Sequence, residues 1–313
     1  MLSRLSLPPG VERLSVLACA EKGCLTYYVG SDVDHVAHLR NCALVVGPEF
    51  EGGLPEEWGV HLIRTSSAKE AFYRLSAEFK EDYLETERLQ FVDGVWVHPE
   101  AKLGSGVQLA PGAVIGKCVL GDGVSIGPHA VIYAKTRIGN GTSIGASTVV
   151  GTAGMMWVWG GPDGREKVFL EQLGSVTIGA GCRIGSNISI VRGNANEATV
   201  LEDGVCVAHG SMIGHGSRLG RNVHLANNVS LGGGVVLEEG AFLGSGSVVS
   251  PGKSLAAGCI LGAGSTLVSN GDKLGVYVGA PARWKGEVKQ KMSGVPEWKR
   301  AEDVKNDSSP PGL

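Results

Sequence analysis

The residues best suited to acid–base chemistry are two histidines that stand six positions apart. His209 follows Val207 by two residues, and His215 follows Ile213 by the same interval. An imidazole titrates near neutral pH, so either ring can take a proton from a reacting group. The alternative for each is a solvated surface histidine with no part in chemistry. The choice depends on the local structure that holds each ring.

That local structure is predicted by a six-residue repeat. From Leu201 to Leu267 an aliphatic residue recurs every six positions, and glycine or alanine commonly follows it. This period matches neither an α-helix nor a long alternating strand. It predicts short strands separated by corners, with each aliphatic side chain pointing into a narrow prism. Earlier residues continue the pattern: Val97, Leu103, Leu109, Ile115, Leu120, Ile126, Ile132, Ile138, Ile144, Val150, Ile178, Ile184 and Ile190.

The corners of this prism determine where the two histidines lie. Each comes where a corner is expected, and a polar ring has no room inside the prism, so we expect both outside the core. One hexapeptide separates them, which predicts different prism faces for His209 and His215. The remaining register positions predict surface locations for His98, His129 and His224.

Two stretches of the chain carry a family resemblance. Residues 170–220 read LEQLGSVTIGAGCRIGSNISIVRGNANEATVLEDGVCVAHGSMIGHGSRLG, and residues 23–46 read GCLTYYVGSDVDHVAHLRNCALVV. Both resemble the bacterial UDP-3-O-acylglucosamine N-acyltransferases of lipid A synthesis, which are hexapeptide-repeat enzymes. The resemblance implies a mainly β fold, a left-handed parallel β-helix with three hexapeptides per coil. It also implies a homotrimer with active sites in the clefts between neighbouring prisms.

The resemblance assigns roles to particular residues. His215 matches the family's catalytic base, and Gly233 matches the glycine whose backbone N–H meets the developing oxyanion. Their spacing of eighteen residues places them side by side on successive coils. Tyr27 matches an aromatic ring that stacks on uracil, and its neighbour Tyr28 is a further candidate for substrate binding.

Three more residues are candidates for the site. Trp157 lies in an aromatic loop that interrupts the repeat, and such loops are often functional. Asn227 is a candidate substrate-binding residue, and His209 is either a helper of the catalytic base or a bystander.

A zinc site is the competing use of the histidines. The γ-class carbonic anhydrases share this solenoid and bind zinc through three imidazoles, the third about two coils upstream of a close pair. Counting back two coils from His209 and His215 leads to Leu173 and Gly179, neither of which is a ligand. We therefore expect no metal.

Several positions depart from the lipid A enzymes, and they cluster at the substrate. Val33 replaces a second stacking ring, Ala208 replaces an aspartate, and Gly252 replaces a second active-site histidine. A site built to hydrogen-bond one substrate rejects another when such partners change. We therefore expect the acceptor to be a different nucleotide-linked amino sugar, of the kind used for cell-surface polysaccharides, and the donor to be acyl-CoA rather than acyl carrier protein.

Two alternatives to this function stay open. The first is the lipid A N-acyltransferase itself, which takes its acyl group from acyl carrier protein. The second is a catalytically silent β-helix that serves as a binding module.

The sequence divides into three segments. Residues 1–92 lack the repeat and predict a small α/β domain with strands at Cys24–Val29 and Ala43–Val46 and a helix over Ser67–Tyr83. Residues 93–275 form the β-helix, with a loop insertion at 151–174. Residues 276–313 predict a short helix and a disordered tail.

Composition excludes several classes of function. A net charge of −3 in 313 residues gives no basic footprint for nucleic acid. No stretch reaches membrane-spanning length. The cysteines are seven in number and form no C-x-x-C pair, as expected of a cytoplasmic protein without disulfides. Nothing in the sequence predicts a tightly bound cofactor.

Overall fold

The computed structural model describes residues 7–287. Residues 102–286 form most of a triangular solenoid. Successive strands along the chain belong in turn to three sheets, one on each side of the triangle. We call these sheets face A, face B and face C. The aliphatic residues of the repeat point inward from all three. Ile213, for example, pairs with Ile190 on the coil before and with Leu231 on the coil after.

The strands of the solenoid are short, and most contain two residues. Face A contains Lys102–Leu103, Val119–Leu120, Thr136–Ile138, Ser175–Ile178, Ala198–Leu201, Arg218–Leu219, Val236–Leu237 and Ser254–Leu255. Face B contains Gln108–Leu109, Ser125–Ile126, Ser143–Ile144, Arg183–Ile184, Cys206–Val207, His224–Leu225, Phe242–Leu243, Ile260–Leu261, Val276–Val278 and Arg283–Gly286. Face C contains Gln90–Val92, Val95–Val97, Val114–Ile115, Val131–Ile132, Val149–Thr152, Ser189–Val191, Met212–Ile213, Ser230–Leu231, Val248–Val249 and Thr266–Leu267.

The corners explain the frequency of glycine. The residue three positions after an inward side chain adopts a positive φ, as at Gly216 (64°) and Gly234 (67°). Asparagine, which tolerates this conformation better than other side chains, takes the same place at Asn222 (56°) and Asn228 (58°). The predicted corner positions therefore coincide with the turns of the structure.

The N-terminal domain is a four-stranded parallel sheet with one α-helix. Its strands are Arg13–Leu14, Cys24–Tyr28, Ala43–Val46 and His61–Arg64. The helix, α1, spans Ala68–Ser76, and the Ser67 side chain caps it by accepting the Glu70 N–H. It is shorter than predicted, because the chain continues as a 3₁₀ turn. The 3₁₀ turns are Leu17–Cys19, Val33–Val36, Glu56–Trp58, Ala77–Phe79 and Thr86–Arg88.

The insertion at 151–174 forms an antiparallel hairpin of Trp157–Gly160 and Glu166–Phe169. Its inward residues Val158 and Val168 pack in one hydrophobic cluster with residues of α1. Glu70 of α1 accepts hydrogen bonds from Arg74 (3.0 Å) and from the Gly161 N–H (3.0 Å). The hairpin thus fastens the N-terminal domain to the solenoid.

The two ends of the solenoid differ from the predicted boundaries. The hairpin of Gln90–Val92 and Val95–Val97 already belongs to face C, because its second strand pairs with Val114–Ile115. At the other end, Val276–Val278 and Arg283–Gly286 form an antiparallel pair on face B where the third segment was expected to begin. The predicted short helix and tail after residue 287 lie outside the described residues.

His98 contradicts its predicted surface location. Only 1% of the residue is exposed, and its Nδ1 accepts the Glu100 N–H at 3.1 Å. The Glu85 carboxylate, which precedes the first strand of face C, lies 3.5 Å from its Nε2. No helix among the described residues is long and apolar enough to cross a bilayer.

Candidate functional site

His215 lies at the corner between face C and face A, above the backbone of the next coil. The Nε2 tip of its ring is aimed at Gly233, since a Cβ added there would stand 2.2 Å from Nε2. Because Gly233 has no side chain, the tip of the His215 ring can lie directly against its backbone. The predicted pairing of His215 with Gly233 across one coil is therefore present in the structure.

The backbone N–H of Gly233 has no hydrogen-bond acceptor among residues 7–287. At some comparable corners a side chain one coil later accepts this N–H, whereas the N–H groups of Arg221 and Glu239 have no acceptor among the described residues either. Asp122 accepts from Ser105 at 2.7 Å, and Asp203 accepts from Ala180 at 2.8 Å. Pro251, one coil after Gly233, carries no polar side-chain atom. The Gly233 N–H is therefore free to meet a ligand.

His209 lies at a different corner, between face B and face C. Its Nδ1 accepts the Ser186 N–H at 2.8 Å, which is the capping contact that aspartates make at other corners. Asn227 lies at the same corner one coil later, and its backbone carbonyl accepts the Gly246 N–H at 2.9 Å. Within one chain, the structure brings neither residue to His215.

Five extra residues in one step of the repeat form a loop beside His215. The aliphatic step from Ile190 to Leu201 is longer than six residues, and the extra backbone forms a loop over Gly193–Glu197. The Asn194 side chain contacts the ring, with Nδ2 at 3.1 Å from Nδ1 of His215. Sequence reasoning missed this loop, although the interrupted spacing marked its place.

Burial and one nearby charge set the electrostatics of the site. Burial lowers the pKa of His215, and the nearby Glu197 carboxylate opposes that effect. The same carboxylate acts on Tyr27, whose pKa is raised first by burial and then by the charge of Glu197. Glu197 therefore lies within electrostatic range of both Tyr27 and His215.

Tyr27 and Tyr28 point to opposite sides of the N-terminal sheet, as alternation along a strand requires. Tyr27 packs against Phe72 of α1, with ring centroids 4.8 Å apart. Tyr28 stacks on His35, with centroids 5.9 Å apart, and belongs to the cluster that contains Val33. Only Tyr27 faces the side on which the solenoid residue Glu197 lies.

Trp157 stands on the outward side of the hairpin. It packs edge-on against Trp159, and the Lys167 ammonium lies 4.8 Å above its ring. The ring is partly exposed, and no recorded contact within the described chain joins it to His215. In the same part of the chain, no group of three His, Cys, Asp or Glu side chains is arranged to hold a metal ion.

Comparisons with known proteins place the fold. A family model described as bacterial transferase hexapeptide (six repeats) matches residues 117–152. No curated protein sequence matches the chain. The UDP-N-acetylglucosamine acyltransferase of Bacteroides fragilis is similar in structure, with a TM-score of 0.56, 22% identity, and coverage of 63% of this chain and 74% of that one.

Two further solved structures agree. The UDP-N-acetylglucosamine acyltransferase of Campylobacter jejuni gives a TM-score of 0.56 at 22% identity, covering 63% of this chain and 75% of its own. LpxA of Acinetobacter baumannii gives 0.55 at 23% identity, covering 63% and 73%. These similarities confirm the predicted left-handed β-helix built from hexapeptide repeats.

Proposed function

We propose that this hexapeptide-repeat β-helix protein is an N-acyltransferase that moves an acyl group from a thioester to the amine of a nucleotide-linked amino sugar. One observation carries the proposal: the Nε2 tip of His215 lies against Gly233, whose backbone N–H has no acceptor among the described residues. Acyl transfer needs both a group that handles the amine proton and a donor for the oxyanion.

In this reaction the amine nitrogen attacks the thioester carbonyl, and the Gly233 N–H stabilises the negative charge that develops on oxygen. His215, as general base, takes the proton that the nitrogen loses. The carbon–sulfur bond then breaks, the thiolate leaves, and the proton passes to the sulfur. The products are an amide and a free thiol, so no external acid, base or oxidant is consumed.

The nucleotide end of the acceptor is assigned to the N-terminal domain. Tyr27 presents its ring on the side of the domain that Glu197 approaches, and the solved structures of similar fold include enzymes named for UDP-N-acetylglucosamine. We assign base stacking to Tyr27. Tyr28, Trp157 and Asn227 remain candidates for substrate contacts, and Asn227 reaches a His215 site only across neighbouring prisms of a homotrimer.

The donor is proposed to be acyl-CoA, with acyl carrier protein as the alternative. Ala208 and Gly252 lack the polar side chains of the lipid A enzymes that the sequence resembles, so selection for that acceptor and donor is not preserved. The lipid A reaction and a catalytically silent solenoid are the alternatives that the following experiment separates.

The test is a thiol-release assay of the purified protein with UDP-, GDP- and dTDP-linked amino sugars, each with short and long acyl-CoA and with acyl carrier protein. We expect turnover with one amino sugar and acyl-CoA, and a loss of at least about a hundredfold in His215→Ala, as is usual for a positioned base. Faster acylation of UDP-3-O-acyl-glucosamine from a hydroxyacyl carrier protein contradicts the proposed substrates. Absence of turnover with every pair contradicts the enzymatic function.

A further inference from the structure

Three hydrogen bonds in series connect the insertion to the His215 ring. The Gly154 N–H donates to Oε1 of Gln172, Nε2 of Gln172 donates to Oδ1 of Asn194 at 2.9 Å, and Nδ2 of Asn194 contacts Nδ1 of His215 at 3.1 Å. Gln172 is only 2% exposed, so water cannot replace its partners freely. We call this series the amide relay.

The first bond fixes the direction of the whole relay. A backbone N–H can only donate, so Gln172 must turn its oxygen toward Gly154 and its NH₂ group toward Asn194. Asn194 must then accept with its oxygen and turn its own NH₂ group toward the ring. Reversing either amide alone sets two donors against each other, and reversing both sets the Gln172 NH₂ group against the Gly154 N–H.

The relay therefore specifies which ring nitrogen of His215 carries the proton. Nδ1 faces an NH₂ group and must offer its lone pair, so a neutral ring carries its hydrogen on Nε2. Protonating the ring would place an Nδ1–H against the same NH₂ group. Burial lowers the pKa of His215 in the same sense, whereas the Glu197 carboxylate favours the charged ring.

We propose that Asn194, oriented by Gln172, is a positioning residue that selects the Nε2–H tautomer of His215 in the resting protein. This inference deepens the proposed function, and only its kinetic consequence rests on that function. The ring meets a ligand over Gly233 first as a hydrogen-bond donor. To accept a proton at Nε2, the ring must first exchange with solvent to the other tautomer, losing the Nε2 proton and gaining one at Nδ1, while the Asn194 amide turns so that its oxygen accepts from Nδ1–H.

The direct test is ¹⁵N NMR of the histidine rings, with the His215 signals assigned by comparison with His215→Gln. We expect a pyrrole-like Nε2 and an unprotonated Nδ1 in the wild type above the pKa of the ring. In Gln172→Glu, residue 172 can no longer donate, so the Asn194 NH₂ group should turn toward it and the tautomer of His215 should reverse. A reversal produced two residues away is not expected from a packing role.

Asn194→Asp gives the same reversal more directly, because a carboxylate only accepts, and it keeps the test open if the buried carboxylate of Gln172→Glu prevents folding. Gln108→Glu is the matched control, since it makes the same change at an exposed position on face B, and it should leave the ring signals unchanged. An Nδ1–H tautomer in the wild type overturns the inference, as does an unchanged tautomer in Asn194→Asp.

The kinetic readout is the pH dependence of kcat/KM in the thiol-release assay. In Asn194→Asp the new carboxylate stabilises the imidazolium and so raises the pKa of His215. The acid limb of the kcat/KM profile should therefore move to higher pH by about one unit, the lower end of the usual effect of a neighbouring opposite charge. An unmoved limb in a variant whose tautomer has reversed overturns the kinetic consequence. If no substrate pair gives turnover, the NMR result still decides the tautomer, so failure of the two proposals is distinguishable.

Discussion

At the residue scale, the candidate site depends on a side chain that is missing. The tip of the His215 ring lies where a side chain of residue 233 would be, and Pro251 on the next coil leaves the Gly233 N–H without a capping partner. The φ of Gly233 does not lie in the left-handed region, so its backbone alone does not require glycine. Room for the His215 ring is the remaining reason for glycine at this position.

Gly233→Ala tests that reason. The new methyl carbon would lie 2.2 Å from Nε2 of His215, so the ring must move away from the Gly233 backbone. We expect thiol release to fall by about two orders of magnitude, the usual loss for a damaged oxyanion site, with an unchanged thermal midpoint. Gly185→Ala is the control, because its Cβ stands 3.1 Å from Nδ1 of His209 and should alter turnover little. Equal losses in both variants would argue against a special site at Gly233.

His209 is the second residue-scale case, and the structure favours a capping role for it. In His209→Ala the Ser186 N–H loses its acceptor, which should cost about 1 kcal/mol of folding stability, a typical net value for one hydrogen bond. Turnover should stay within about threefold of the wild type, far from the loss expected for a general base. Urea unfolding and the thiol-release assay measure the two effects.

His209→Asp provides the matching rescue. Asp122 and Asp203 cap the same kind of corner N–H elsewhere in the solenoid, so an aspartate at this position should restore most of the stability. A large loss of turnover in both His209 variants would instead assign His209 to catalysis and reverse the roles proposed for the two histidines.

At the element scale, one buried arginine holds the insertion to the coil. Arg192 is fully buried and donates to the carbonyls of Gly151 (2.7 Å), Gly174 (3.3 Å) and Ala134 (3.1 Å). Its guanidinium also stacks on Tyr83, 3.3 Å from the ring centroid. Gly151 and Gly174 are the two ends of the insertion, so this side chain joins the ends of the segment that contains Gln172.

Arg192→Met should therefore destabilise the protein by about 3 kcal/mol, because three buried carbonyls lose their donor and each unsatisfied group costs roughly 1–3 kcal/mol. Denaturant unfolding measures the loss. Arg137→Met is the control, since Arg137 is exposed on face A and its removal should have little effect. A loss below about 1 kcal/mol would mean that water or a shifted backbone replaces the guanidinium.

At the scale of the whole molecule, the solenoid presents flat faces with exposed apolar residues. Met212 and Val248 stand outward on face C, with 54% and 39% of each residue exposed. Flat, repetitive faces suit a closed symmetric assembly. We expect a homotrimer in which a neighbouring prism completes the cleft at His215.

Sedimentation equilibrium at micromolar concentration should give three times the chain mass of 32.5 kDa. A charged substitution at Met212 should weaken the assembly if face C forms the contact, whereas the same substitution at exposed Arg137 should not. A monomer at that concentration contradicts the homotrimer. In a monomer, Asn227 could not take part in a site at His215.

The sequence by itself determined the solenoid and the pairing within it. With a strict period of six, each aliphatic residue is buried only if it points into the prism, and this requirement predicts the strands and the corners. The adjacency of His215 and Gly233 followed from their spacing and from the family resemblance. The same reasoning failed at His98, which is buried and lies beside Glu85 of the N-terminal chain, a residue outside the repeat.

Only the tertiary structure decided what surrounds His215. Gln172 and Asn194 lie in two irregular segments where no period constrains the chain, and their contacts with the ring depend on how the insertion folds onto the N-terminal domain. Arg192 likewise binds three carbonyls that are distant in sequence. Repetition encodes contacts between neighbouring coils, whereas a hydrogen bond between two irregular loops depends on the whole packed molecule, so local sequence does not reveal it.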